Sequence, residues 1–581
     1  MVKISTPPKA LAMKINLFFL AFFLILYSIL FLFPLPSVHN DHAAKLVKCS
    51  FSGCQHKKNG IKMKTTLIDP NNTNNHVESI KIKQPSFFKT IGKEMKIGMI
   101  SMETEDISEW RSLGEITHIS FEHVSKSLEW KHLFPEWIDE EEEVDGPSCP
   151  DIPMPDFDKY GEMDMIVAKL PCKAPKEKWN RDVFRLQVHL VAARMAVKKG
   201  KWDWNGNRKT MKVVLLSKCM PMVEIFGCDE LVRREGDWWY YGVEMERLKK
   251  KVELPVGSCE LAMPLWAKGT NKPYGISKPR SLTIKPTPKR EAYATVIHSS
   301  ESYVCGAITL AQSLLQTGTQ RDLILLLDTS IPHPKRVALS QAGWTLRFIK
   351  RIRNPKAQKY TYNEYNYSKF RLWQLTDYNK VIFIDSDIIV LLSLDTLFNF
   401  PQMSATGNDG SIFNSGIMVI EPSNCTFRML MHRTNEIISY NGGDQGFLNE
   451  VFVWWHRLPR RVNYLKNFWS NSSGEVAVKN RMFGSDPPGV YSIHFLGLKP
   501  WVCYRDYDCN WDVPDQRVYG SDVAHARWWR VYDAMDEGLK GFCGLSEKRK
   551  VELERAREKA RKMGKEYIHW RVNVTDPRRF I

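Results

Sequence analysis

The chain has 581 residues, of which 83 are Lys or Arg and 65 are Asp or Glu, a formal net charge of +18. That length supports several domains around a large core, and 43% hydrophobic with 25% charged residues excludes wholesale disorder and a multi-pass membrane protein. The positive balance favours anionic partners, and nineteen Trp with twenty Tyr supply rings suited to core packing or to stacking on sugars and bases.

Residues 1–14 carry Lys3, Lys9 and Lys14 without an acid, and an uncharged run from Ile15 to Phe33 follows. At about 1.5 Å per residue that run reaches roughly 28 Å, the thickness of a bilayer's hydrocarbon core. The positive-inside rule keeps the short N-terminus cytoplasmic and sends the remainder across, so residues 15–35 are expected to be a type II signal anchor. A cleaved signal peptide is the competing reading, but PLPSVHND offers no A-x-A-like cleavage site. Twelve Cys and sequons beginning at Asn71, Asn366, Asn424, Asn471 and Asn573 suit an oxidising, glycosylating lumen.

Residues 36–95 are polar and rich in Lys and Asn, as expected of a stem. A first α/β unit is expected over 96–268. In it KIGMISM and MDMIVAKL (163–170) read as strands, 181–200 as an amphipathic helix ending at Gly200, and MKVVLL (211–216) as a strand. The acidic run Asp139 to Glu143 reads as a solvated loop, and the Pro, Gly and Lys of 269–290 as a linker.

The region 291–545 is patterned again: strand 292–298, helix 303–317, strand 321–328, and a strongly apolar strand over 380–391 interrupted by acids. Strands alternating with helices predict a doubly wound α/β sheet with ligand sites at the strands' carboxyl ends. Residues 546–581 read as a charged, solvent-facing helix and a tail.

Asp385-Ser386-Asp387 stands inside VIFIDSDIIVL, where burial of carboxylates demands a compensating cation. Two hard oxygen ligands at a strand's end suit Mn²⁺ or Mg²⁺, which would neutralise a diphosphate. Asn414, Ser415 and Gly416 lie just before an expected strand, where a sugar can approach the backbone. Asn441, Gly442 and Gly443 lead into Asp444 and Gln445 at an expected helix start, where an N-cap is the structural alternative. HFLGLKPW supplies His494 as a third metal ligand and Lys499 as a cation for phosphate.

In this order YSKFRLWQL, VIFIDSDIIVL, NSGIMVIEP, GGDQGFLN and HFLGLKPW resemble the glycogenin-type retaining glycosyltransferases of family 8, over roughly residues 290–510. EWRSLGEI, HLFPEWIDEEEE, CPDIPMPDF and MDMIVAKLPC resemble the N-terminal extension of the plant glucuronosyltransferases that decorate xylan. The resemblance implies a nucleotide-diphospho-sugar transferase fold of GT-A type, a doubly wound mixed sheet preceded by a second α/β unit. It implies Mn²⁺, with Mg²⁺ as the alternative, held by Asp385, Asp387 and His494 against the UDP diphosphate, with Ser386 between the ligands and Gly497 and Lys499 on the phosphates. Ile297, Ser299, Ser300 and Tyr303 would surround the uridine, with Tyr303 on the base. Lys369 would reach the donor, and Asn414, Ser415, Gly416, Asn441, Gly442, Gly443, Asp444 and Gln445 would surround the transferred sugar. Asp444, Gln445 and Lys369 are the catalytic candidates, and Lys369 and Arg371 the candidates for a sugar carboxylate.

Two departures matter. Asn441 replaces an acid of glycogenin, and residues 470–490 hold no tyrosine, so self-glucosylation is not expected. The expected function is transfer of glucuronic acid from UDP-glucuronate to xylan, with retention, by a single-pass Golgi enzyme whose candidate partners include other Golgi glycosyltransferases. The alternatives are another acceptor such as a sphingolipid headgroup, another UDP-sugar, or a catalytically silent lumenal scaffold. Nucleic-acid binding is not expected, because the charge is scattered through stem and linker.

Overall fold

The computed structural model describes residues 85–134 except 109, 149–172, 176–205, 208–257, 262, 265, 290–409, 411–468, 473–563 and 572–579. The expected anchor, most of the stem, the acidic run, all but the last residue of the linker and the sequons at Asn71 and Asn471 lie outside these residues. Among the described residues, no helix is long and apolar enough to cross a membrane.

The first unit is a seven-stranded mixed sheet. β1 (Met95–Ile100), β2 (Gly114–Ile119), β3 (Met165–Lys169) and β5 (Arg208–Leu216) run parallel in the order β2-β1-β3-β5, while β7 (Trp238–Glu244), β6 (Leu231–Glu235) and β4 (Asp203–Asn205) are antiparallel additions. β3 is a run of apolar residues because both of its faces are covered. One cover is the Val183–Lys199 helix, started by Asp182, whose carboxylate accepts from Arg185 N at 2.9 Å. The other is an aromatic cluster of Phe87, Phe88, Trp110 and Trp238. The stem expected through residue 95 therefore ends earlier: the Ser86–Lys89 turn is part of the fold, because its two buried phenylalanines complete that cluster.

The second sheet has the order β10-β9-β8-β11-β14-β13-β15. β8 (Glu291–Ile297), β9 (Asp322–Leu327), β10 (Thr345–Phe348) and β11 (Lys380–Ile384) are parallel, and β14 (Ile412–Ile420) is antiparallel to both β11 and β13 (Ser404–Asp409), which runs parallel to β15 (His456–Leu458). The expected doubly wound character is thus mixed.

Three local expectations are corrected. Residues 380–391 are not one strand: β11 stops at Ile384, and Ile388–Val390 forms β12 in a separate three-stranded sheet with β17 (Ser492–His494) and β16 (Tyr464–Leu465). In a continuous strand Asp385 and Asp387 would point to one face of a buried sheet, and the break lets both leave the core. Asn414, Ser415 and Gly416 lie within β14 and not ahead of it. The C-terminal segment is not a free tail: Leu553 and Ala560 of the Glu547–Lys562 helix are buried, and Arg578 pairs with Asp576 while donating to Trp501 O, Cys543 O and Cys503 O at 3.1, 3.0 and 2.6 Å.

The two sheets belong to one compact unit. Glu224 of the first unit accepts from Val453 N and Trp454 N at 2.7 and 3.1 Å, and Arg181 grips Glu450 at 2.7 and 3.1 Å. Both contacts fall on the end of the Asp444–Val451 helix, and the Cys228–Cys425 disulfide locks the same junction. Cys172–Cys219, Cys305–Cys543 and Cys503–Cys509 are also paired, a connectivity the sequence left open.

Candidate active site

The site forms where β11 and β14 give out together. Asp385 N donates to Gly416 O at 2.8 Å, so the strand end and the amide-rich stretch of β14 are in register. One residue pair further, Ile388 of β12 faces His494 of β17. This brings ligand atoms of Asp385, Asp387 and His494 within 4.8 Å of one another, although the histidine lies more than a hundred residues after the two acids.

Two lysines bracket the acids. Lys369 lies 3.3 Å from Asp385 Oδ1 and 2.5 Å from Asp444 Oδ2, and Lys499 lies 2.7 Å from Asp387 Oδ2. Burial pushes the Asp385 carboxyl up to about 6, with the neighbouring Asp387 and Asp444 carboxylates adding to it against the pull of Lys369. Burial acts the same way on Asp387, but Lys499 and His494 overcome it and hold that group well below the usual carboxylate range. Burial opposes charge on Lys369, yet Asp385 and Asp444 raise its pKa, so it is a fixed cation.

The sugar side is equally organised. Ser415 Oγ donates to Asp444 Oδ2 at 3.0 Å, Ser415 N to Gln445 Oε1 at 3.1 Å, and Gln445 Nε2 to the Tyr440 hydroxyl at 2.5 Å. Asp444 is the first residue of its helix and does not cap it. Asn441 takes that work, its carboxamide oxygen accepting from Gly443 N, Gly446 N and Ser439 Oγ at 3.0, 3.1 and 2.8 Å. Asn441 Oδ1 and Gly442 O are thus taken up in shaping the loop, Gly442 O accepting from Asn354 and Asn363. Gly416 approaches the imidazole closely: a Cβ there would stand 2.6 Å from His494 Cε1.

The nucleotide side consists of two turns tied together. Ile297 ends β8, Ser300 accepts from Ser302 N at 3.1 Å, and Trp501 Nε1 donates to Ser302 O at 2.8 Å. The half-exposed Tyr303 ring stands edge-on to Trp501 at 5.9 Å. Gly497 has φ +75°, and a Cβ there would meet Asn510 Oδ1 at 2.4 Å, so this turn requires glycine. Arg371 is engaged on Lys350 O, Gln374 Oε1 and the Phe427 ring, whereas Lys369 reaches Asp385 and Asp444.

The comparisons fit this arrangement. The GUX1-5 N-terminal domain model matches residues 70–259, and the glycosyl transferase family 8 model matches residues 294–406. UDP-glucuronate:xylan alpha-glucuronosyltransferase 2 of Arabidopsis thaliana is 58% identical over 100% of this chain and 98% of its own length. The chain belongs to this family. Its Arabidopsis thaliana member 1 is 47% identical over 83% of this chain and 72% of its own length. Galactosyltransferase LgtC, solved with donor and acceptor sugar analogues, overlaps 43% of this chain and 99% of its own with 18% identity and a TM-score of 0.31.

In this glycosyltransferase the donor set suits a divalent cation. His494 Nδ1 meets Asn463 Oδ1 at 3.2 Å; the amide oxygen only accepts, so Nδ1 carries a proton, and Nε2 stands 3.4 Å from Asp387 Oδ1, on the side where a cation would bind. Two carboxylates and an imidazole nitrogen thus converge, and a cation bound among them would keep Asp385 ionised. Asn463 was not foreseen from the sequence; it also donates to Asn414 Oδ1 at 2.9 Å, whose oxygen in turn accepts from Gly416 N at 2.8 Å. Asn463→Ala is expected to weaken divalent-cation binding by about 10- to 100-fold while leaving every candidate ligand in place, as a titration with Mn²⁺ as the probe, followed by electron paramagnetic resonance, would report.

Other residues that carry no sequence motif support the site from behind. Arg351 holds Asp328 at 2.9 Å and Ser299 Oγ at 3.0 Å, fixing the turn after β8, where Ser299 has φ +65°. Asn510 pairs with both backbone groups of Leu498 at 2.8 and 2.9 Å and so holds the Gly497–Lys499 turn. At the Asn366 sequon the half-buried carboxamide lies against the sugar loop, with Nδ2 3.4 Å from where a Gly443 Cβ would lie, so a glycan there would crowd the site. Glycopeptide mapping of secreted protein should find Asn366 unmodified.

Proposed function

We propose that this chain transfers glucuronic acid from UDP-glucuronate to xylan with retention of configuration, as a Mn²⁺-dependent enzyme anchored in the Golgi membrane by residues 15–35. The observation that carries the reading is the junction of Asp385, Asp387 and His494 with Lys369, Lys499 and Asp444, in a chain that matches xylan glucuronosyltransferases over its full length.

Asp385, Asp387 and His494 would hold the metal, which supplies Lewis-acid charge to the departing diphosphate. Lys499, fixed at 2.7 Å by both Phe495 O and Asp387, adds a cation where negative charge develops on UDP. Asp444 Oδ2 is oriented by Ser415 and Lys369, so this carboxylate is placed to face an oxocarbenium-like carbon. Gln445 is held on both ends and positions the sugar hydroxyls. Lys369 spans Asp385 and Asp444, coupling the metal side to the sugar side in one rigid unit.

The test is transfer by the purified full chain with Mn²⁺, a panel of UDP-sugars and xylo-oligosaccharides. Transfer from UDP-glucuronate in preference to UDP-glucose and UDP-galacturonate supports the reading. Transfer only to a sphingolipid acceptor, or none from any UDP-sugar, rejects it.

A further inference from the structure

Three exposed tyrosines, among them the two most exposed large rings of the described residues, lie on the segments that form the sugar loop and its neighbour. Tyr360 is 96% exposed, Tyr362 84% and Tyr440 54%, with Ile438 at 76%. They come from two segments that meet at one carbonyl: Asn354 and Asn363 both donate to Gly442 O, at 2.9 and 2.8 Å, and Lys356 reaches Glu436 O at 3.4 Å. Gly442 leads directly into Gly443-Asp444-Gln445, and the Tyr440 hydroxyl is bonded to Gln445. The rings thus form a lip one hydrogen bond away from the proposed sugar site.

The lip is built and not merely left over. Tyr360 has φ +66°, a conformation disfavoured for any residue with a bulky side chain. It is held there by the buried Glu364, whose Oε2 accepts from Tyr360 N at 2.7 Å and whose Oε1 accepts from Arg353 at 2.9 Å. Arg353 in turn donates to Ala357 O at 2.8 Å. Between the two exposed tyrosines, Thr361 Oγ1 bonds Gln358 O and Asn363 Oδ1, both at 2.7 Å. The buried Glu364, paired with the exposed Arg353, therefore maintains a strained turn whose side chain faces water, an arrangement that core packing does not require.

We propose that Tyr360, Tyr362 and Tyr440 are the acceptor platform, stacking successive units of a neutral pentose chain that leads toward Asp444. The inference rests on the xylan reading above. A pyranose without an exocyclic carbon presents two flat faces of C–H bonds, which suit aromatic rings, and its hydroxyls suit the tyrosine oxygens and surrounding Asn and Thr side chains.

Binding of xylohexaose to the full chain, measured by isothermal titration calorimetry, tests the platform without needing turnover. Tyr360→Ala/Tyr362→Ala should raise Kd by about 10-fold, while Tyr360→Phe/Tyr362→Phe keeps most of the affinity, because stacking needs the ring and not the hydroxyl. The melting temperature and the KM for UDP-glucuronate should not move, since neither side chain touches the core or the donor site. Equal affinity in wild type and the alanine variant, or no binding by wild type, overturns the platform. A parallel transfer assay separates the two claims: ring-dependent binding without transfer would reject the glucuronosyl transfer, whereas transfer with unchanged affinity in the alanine variant would reject the platform alone.

Discussion

Asp387→Asn is expected to lower kcat/KM for UDP-glucuronate by about 10³-fold or more, with the fold intact. The substitution keeps the volume and one oxygen but removes the charge that Lys499 and His494 share. Three losses coincide: an anionic metal ligand, the partner that holds Lys499 2.7 Å away, and the negative charge facing His494 Nε2. Because Asp387 is held ionised far below neutral pH, this is loss of a carboxylate that is charged throughout the working range. Steady-state kinetics with saturating Mn²⁺, alongside Mn²⁺ binding by electron paramagnetic resonance, would show both effects together. Normal metal affinity with normal kinetics would remove Asp387 from the site.

The largest loss of stability is expected at Asp508, beneath the phosphate turn. Lys466 and Asp508 are almost fully buried and lie 2.6 Å apart, and Lys466 also donates to Tyr519 O at 2.6 Å. Asp508 accepts further bonds from Asn510 N, Asn510 Nδ2 and Ser521 N at 3.1, 2.6 and 3.0 Å. Burial opposes charge on this carboxyl, but Lys466 and His525 hold its pKa down, so the pair is ionic in the folded protein. Asp508→Ala leaves an ammonium buried without its counter-ion and should cost about 3–5 kcal/mol in chemical denaturation. Since Asn510 clamps Leu498, the variant should also raise the KM for UDP-glucuronate. Asp508→Leu/Lys466→Met should be less destabilised than Asp508→Ala, because it removes both charges at once. A double variant as unstable as the single one would place the cost in packing and not in the ion pair.

The elements that were legible in the sequence share one property: their signal is local. β3, β8 and β9 announce themselves as apolar runs, and the Val183–Lys199 helix by its apolar periodicity and its terminal Gly200. Asp385 and Asp387 stood out because they interrupt an apolar run, and Asn414, Asp444, His494 and Lys499 because they sit in short glycine- and amide-rich stretches; the structure brings them to one junction. What stayed hidden depends on distant partners. Asn463 carries no motif, yet it orients His494 and Asn414, 31 and 49 residues away. Arg578 looks like a tail residue until Trp501 and Cys543 are seen to receive it. The break between β11 and β12 was concealed because each half is apolar enough to continue the other, and only the cost of two acids on one buried face argues for it. Likewise, Phe87 and Phe88 were assigned to the stem because their Lys-rich surroundings outweigh two rings in any local reading.

The first unit's contact with the Asp444–Val451 helix gives it a structural part in the reaction site. Glu224 and Arg181 hold the far end of the helix, and Asn449 within it bonds Phe413 N and O at 2.9 and 3.0 Å, next to Asn414 and Ser415. The sugar loop is thereby anchored at both ends, one by Asn441 and the other by the neighbouring sheet.

The most direct measurement is the initial rate of glucuronic acid transfer from UDP-glucuronate to xylohexaose by the full chain, first stripped of metal by chelation and then resupplied with Mn²⁺. The account predicts no transfer after chelation, recovery with Mn²⁺ in the wild type, and no recovery in Asp385→Ala/Asp387→Ala. Undiminished transfer in the stripped enzyme, or recovery in the double variant, would contradict it.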